Sequence, residues 1–187
     1  REDRRQRQMC KETDAIEDYL VRLIALDTVS SGSNKGDFCP DRVKRLIDLI
    51  DAETTKPIAV FAHHPPFEVT VGPDPLNFET PTIMSQLRQA LQHSGRVVAV
   101  FSGHVHRAAE GHIGSIPATV VPCIASTLRK GEYPTNMKTR PVYHVHRFDP
   151  AWGFTTETRI VQTESSSNRY TTPLCLDEER TPNIEIP

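Results

Sequence analysis

The sequence predicts a layered α/β domain. Short apolar runs alternate with amphipathic stretches in the first half, as strand–helix–strand–helix–strand, and consecutive strand-like segments without helices follow in the second half. The length agrees: 187 residues make one domain with a core large enough to need no disulfide staples.

Each element has its own local reason. Residues 19–28 (YLVRLIALDT) form an almost unbroken apolar run, the pattern of a strand covered on both faces. Residues 30–40 (SSGSNKGDFCP) are a loop by composition. Pro40 and Asp41 then open a helix over 41–53, where Val43, Leu46, Ile47 and Ile50 make one apolar stripe. Residues 58–62 (IAVFA) are a second buried strand, running straight into His63, His64, Pro65 and Pro66. After a Pro-rich stretch, 82–93 (TIMSQLRQALQH) is the second helix, with Ile83, Leu87 and Leu91 on one face and Gly95 as its stop. Residues 96–101 (RVVAVF) are a third buried strand, ending in Ser102-Gly103-His104-Val105-His106. Further strands are expected over 112–121, 142–148 and 154–162. Residues 1–18 read as a frayed helix or as the tail of an element whose start is missing. The polar segment from Thr163 reads as an arm, so the division is 1–162 for the domain and 163–187 for the tail.

Composition narrows the function classes. Lys+Arg 22 against Asp+Glu 24 gives a net charge of −2, with no basic field for nucleic acid or an anionic bilayer. No apolar run approaches the roughly 20 residues that span a membrane. Cys10, Cys39, Cys123 and Cys175 form no C-x-x-C pair and read as reduced thiols of a cytoplasmic protein, with one disulfide as the alternative.

The chemistry lies at two strand ends. In open α/β sheets, ligands gather beyond the carboxyl ends of the strands. Here two of the three buried strands deliver histidines at that edge, His63 and His64 from one, His104 and His106 from the other. Imidazole is a common metal ligand, suited to Zn, Fe, Mn, Co or Ni. Gly103 is expected to permit the turn that lets His104 and His106 reach one site. One of His63 and His64 is expected to bind metal and the other to stand behind it or face substrate. His144 and His146 share a strand face in VYHVHRF, but sit mid-strand and are expected to be ordinary half-buried residues.

HHPP (63–66) after a buried strand, followed about forty residues later by GHVH (103–106), resembles the calcineurin-like metallophosphoesterases. Within them, the chain is most similar to the bacterial class III cyclic-nucleotide phosphodiesterases and glycerophosphodiesterases. RLIALDT resembles the family's "rlivLDS" strand, Gly36 and the helix after it resemble the segment that follows, and GHVHR leads into IPATVVPCIAST as the family's pattern does.

That resemblance implies a four-layer αββα sandwich and a centre of two divalent metal ions (Fe, Mn, Zn or Co). It implies hydrolysis of a 3′,5′-cyclic nucleotide or a glycerophosphodiester by a metal-bound hydroxide. Residue by residue, it makes His63, His104 and His106 metal ligands and leaves His64 as the catalytic candidate. A small-molecule substrate and, as one option, a homodimer are the implied partners.

The family's D-x-H, G-D-x-x-D and G-N-H-[DE] motifs do not occur in these 187 residues. On the resemblance, the chain is therefore the C-terminal half of such an enzyme, silent without upstream carboxylates, with sheet edges exposed beside residues 19–28. The alternative is a phosphoesterase-fold scaffold that has lost catalysis. The three retained histidines weigh against it, because a scaffold has no chemical use for them.

Overall fold

The computed structural model describes residues 14–69 and 77–161. The expectations for residues 1–13, the segment 70–76, Cys10, Cys175 and the tail 163–187 lie outside them.

The described residues form three layers. A six-stranded sheet runs β1 (Asp14–Ile16), β2 (Arg22–Leu26), β3 (Ile58–Ala62), β4 (Val97–Ser102), β6 (Ile116–Val120), β5 (Ala109–Ile113) in spatial order. Helices α1 (Pro40–Asp51) and α2 (Pro81–Leu91) make the successive crossovers β2–α1–β3 and β3–α2–β4. The antiparallel hairpin β7 (Val142–Asp149) and β8 (Gly153–Ile160) packs on the sheet's other face. The α/β class expected from the sequence is the observed one.

Strand patterning explains the layering. Ile24, Leu26, Ile58, Val60 and Val100 belong to one buried cluster with Leu46, Leu49 and Ile50 of α1 and Leu87 and Leu91 of α2. The alternate positions Ala59, Ala99 and Phe101 pack beneath Phe148 and Phe154 of the hairpin. Both faces of the central strands are thus covered, which is why those strands read as continuous apolar runs. Pro40 begins α1 with Asp41 in its first turn, as expected. Thr80 caps α2 by accepting the Ile83 N–H at 3.3 Å. The helix ends earlier than expected, at Leu91 with Gln92 as its C-cap, and Gly95, at φ 69°, lies in the turn beyond it.

Three expectations are corrected. Residues 112–121 are not one strand but the turn and second half of a hairpin. Gly114, at φ 61°, makes a two-residue reversal between Ile113 and Ile116. The segment before residue 19 is not helical where it is described: β1 pairs antiparallel with β2 and occupies the edge expected to be bare. On the hairpin side, apolar surface does remain uncovered, with Leu20 70% and Tyr19 59% exposed.

His93, near the C-terminal end of α2, meets Asp51 of α1 at 3.3 Å and ties the two helices together. No helix among the described residues is long and apolar enough to cross a membrane.

Burial of imidazoles gives the fold a pH dependence. His63, His64, His104, His144 and His146 all have basicities depressed first by burial, His104 and His146 to about 4. The unfolded chain takes up protons below about pH 6.5, protons that the folded chain refuses until about pH 4. The unfolded state therefore binds more protons in that window, and stability falls as pH drops through it. Thermal midpoints of metal-free protein are expected to decline from pH 7 to pH 4.5, less steeply in His146→Gln. A midpoint that rises on acidification would contradict the burial of these rings.

Candidate metal centre

The parallel register of β3 and β4 builds the site. Ala62 lies opposite Ser102, and the ladder continues one step further through a 3.1 Å bond from the Gly103 N–H to the His63 carbonyl. The next side chains on the two strands are then neighbours. His104 Nδ1 lies 3.2 Å from His63 Nε2, and the two rings meet nearly edge to face.

The turn that follows carries strain, and the strain sits on the histidines rather than on Gly103. His104 and His106 have φ of 66° and 59°, the left-handed region that L-residues avoid. Such positions cost on the order of 1–3 kcal/mol each and persist when the surroundings over-determine them. Val105 between them is buried in the core and its N–H bonds the Gly103 carbonyl at 2.8 Å. That plug leaves His104 and His106 on a pocket of about 270 Å3 shared with His63, Val121, Cys123 and Tyr143.

His64 occupies a different position, 4% exposed. Its Nε2 lies 3.2 Å from the Asn34 carbonyl, which only accepts, so that nitrogen carries the proton. Its Nδ1 then accepts from the Thr28 hydroxyl at 2.8 Å. Thr28, in turn, is held by the backbone N–H of His64 at 3.4 Å. Gly36 makes the fit possible, since a Cβ there would stand 2.8 Å from His64 Cγ and 2.9 Å from the Phe78 ring. The sequence resemblance pointed to this loop without assigning Thr28 or Asn34 a task. The bonds show what that task is, namely fixing the tautomer and orientation of His64.

Among the described residues, the three ring nitrogens that come within 4.8 Å of one another belong to His63, His64 and His104. His106 borders the same pocket and lies close enough to lower the basicity of both His63 and His104 electrostatically. His63 is depressed by burial, then by His106. His104 is pushed to about 4 by burial, then by His64, His63, His106 and Lys130. His64 is depressed by burial and by His63, against the opposing pull of its Asn34 bond and of Asp27. Neutral imidazoles are the form that ligates.

The donor set fits a divalent ion. Two imidazole nitrogens bound to one tetrahedral ion at about 2.0–2.1 Å stand roughly 3.3–3.4 Å apart, close to the 3.2 Å between His63 and His104.

His144 and His146 lie mid-strand and half-buried. His146 is stacked at 3.8 Å on Phe101 and bonded through Nδ1 to the Thr156 hydroxyl at 2.8 Å. Both line a cavity of about 480 Å3 that reaches His63, together with Phe61, Ser102 and Thr119.

Two curated relatives match. A probable glycerophosphodiester phosphodiesterase GpdQ of Arcobacter nitrofigilis is 27% identical over 151 residues, 78% of this chain and 55% of the relative. The glycerophosphodiester phosphodiesterase GpdQ of Enterobacter lignolyticus is 30% identical over 112 residues, 57% of this chain and 39% of the relative. The likeness to these two relatives agrees with the resemblance of the chain's HHPP and GHVH motifs to metallophosphoesterases. The chain spans about half the length of the curated relatives it matches. Among solved structures, a dimetal phosphatase from Danio rerio aligns with a TM-score of 0.47 at 11% identity, over 58% of this chain and 48% of that one. No family model matches the chain.

Proposed function

We propose that the protein is a metal-dependent phosphodiesterase acting on a small phosphodiester, either a glycerophosphodiester or a 3′,5′-cyclic nucleotide. One observation carries this reading: adjacent parallel strand ends hold His63 Nε2 and His104 Nδ1 3.2 Å apart. The names of the two relatives support the choice of a diester.

In this proposal His63, His104 and His106 are the metal ligands. A divalent ion there, Fe, Mn, Zn or Co, supplies a water activated at neutral pH and neutralises charge on the phosphate. The chain's own contribution is positional. The β3–β4 register fixes the spacing of His63 and His104, and the buried Val105 holds the turn that carries His104 and His106. His64 keeps the site ordered through Thr28 and Asn34. The catalytic role assigned to it requires its bond to the Asn34 carbonyl to open, freeing Nε2–H as a proton donor. Imidazoles bring no negative charge, so a second divalent ion requires carboxylates in addition to this cluster.

The test is hydrolysis by protein stripped with chelator and then resupplied with Mn2+, Fe2+, Zn2+ or Co2+. Glycerophosphoethanolamine, 3′,5′-cyclic AMP and bis(p-nitrophenyl) phosphate are the substrates. Turnover of at least one diester, restored by metal, is expected where carboxylates complete the centre, and none from residues 1–187 alone. Failure of every metal to elicit diester hydrolysis by the whole protein would overturn the reading.

A further inference from the structure

The pocket of about 270 Å3 that holds His63, His104 and His106 has a second wall of different chemistry. Val121, Pro122, Cys123, Ile124, Val142 and Tyr143 border it opposite the imidazoles. Among the described residues, no Asp, Glu, Lys or Arg borders it. Once a phosphate is held by the histidines, the remaining surface can contact its ester substituent only through apolar groups, a thiol and an aromatic ring.

That wall is held in place from three directions. The Val121 N–H donates to the Ser102 carbonyl at 2.8 Å. This carries the β4–β6 pairing one step past Val120 and sets residues 121–124 beside the histidine turn. The loop returns to the same turn through the Lys130 N–H, which donates to the His106 carbonyl at 2.8 Å. Between these ties Arg129 gathers the loop around its own guanidinium. It donates to the carbonyls of Cys123 at 2.8 Å, Ile124 at 3.3 Å and Arg140 at 3.0 Å, and to that of Met137. The backbone oxygens of Cys123 and Ile124 are thus engaged by a cation of the loop itself. Ile124 and Tyr143 are nonetheless exposed, and covering such side chains with an apolar group is favourable in proportion to the area removed from water.

We infer that this wall is the subsite for an apolar, ring-sized substituent of the phosphate, so that the site selects a diester with an aryl or similarly apolar arm. This rests on the proposed phosphodiesterase reading and deepens it by stating which arm is selected. The histidines and the wall border a single cavity, so a phosphate on the former sets its substituent against the latter. The volume agrees. A dry cavity of roughly 150 Å3 holds one benzene molecule, and about 270 Å3 takes a ring together with the phosphate that carries it.

Binding reads the subsite without turnover. In Zn2+-loaded protein, diphenyl phosphate is expected to bind about tenfold more tightly than dimethyl phosphate. Tyr143→Ala and Ile124→Ser should each bring that ratio to within about twofold of one, with the affinity for dimethyl phosphate unchanged. Tyr143→Phe keeps the ring and should keep the ratio. Trp152→Ala removes an exposed ring at the far turn of the hairpin and should match the parent. A parent ratio near one would overturn the inference, as would a tenfold ratio that survives Tyr143→Ala and Ile124→Ser combined. Phenol, titrated into metal-free protein and followed by ligand-observed NMR, separates the subsite from the functional reading. If neither diester binds the loaded protein, the phosphodiesterase reading falls. Phenol binding that Tyr143→Ala abolishes then sustains the apolar subsite, and no phenol binding overturns it too.

Discussion

Arg42→Ala is expected to lower the stability of the protein by about 3–5 kcal/mol, the usual cost of breaking a buried ion pair from one side. The Arg42 guanidinium is 2.6 Å from Asp27, with side chains 4% and 9% exposed. Its other terminal nitrogen donates to the carbonyls of Val29 and Asp37, at 2.9 Å each. One side chain of α1 thus closes the loop that leaves β2, and truncating it strands a carboxylate and two carbonyls. The consequence reaches the site, because Thr28, next to Asp27, orients His64. Chemical denaturation should show a lower midpoint with an unchanged slope. Adding Asp27→Ala to Arg42→Ala should restore part of the loss, since the unpaired charge is then gone. A loss below about 1 kcal/mol for Arg42→Ala would mean that water reaches Asp27 and the pair acts as a surface pair.

This loop shows where sequence reasoning stopped. The strands β2, β3 and β4 and the two helices were legible because both-face burial and the helical stripe leave direct marks on the sequence. The positions of His63, His104 and His106 at strand ends followed from the same marks. What was not legible depends on contacts between distant segments. Arg42 looks like a polar residue of an amphipathic helix, yet it is 3% exposed because it bonds a loop beginning at residue 27. Thr28 and Asn34 are ordinary loop residues by composition and meet His64 only through the β2–β3 pairing. Gly103 drew attention as the flexible member of its turn, whereas the left-handed conformations fall on His104 and His106. Sequence offers no sign of that, because a strained non-glycine position is imposed by its surroundings. The Gly114 reversal could have been found, since Gly-Ser between two apolar runs is a hairpin signal.

The second large effect concerns His104, where metal binding and fold stability should move in opposite directions. His104→Ala removes a nitrogen 3.2 Å from His63 and is expected to weaken divalent-ion binding by at least about a hundredfold. That exceeds what the loss of an outer partner of a metal ligand usually costs, about 10–100-fold. Metal-restored diester hydrolysis should disappear with it. His104→Gly should lose the metal equally but relieve the backbone, because φ 66° is unfavourable for any side chain and open to glycine. In metal-free protein His104→Gly is therefore expected to be more stable than His104→Ala by about 1 kcal/mol. The parent should exceed both only when metal is present, because an ion that binds the folded state alone stabilises it by mass action. His144→Ala and His146→Ala should keep their metal, as those rings serve the hairpin face rather than the cluster. Elemental analysis of purified protein, paired with melting curves with and without chelator, reads both effects. Full metal occupancy in the His104→Ala protein would refute the ligand assignment, and a metal-free His104→Gly less stable than His104→Ala would refute the strain.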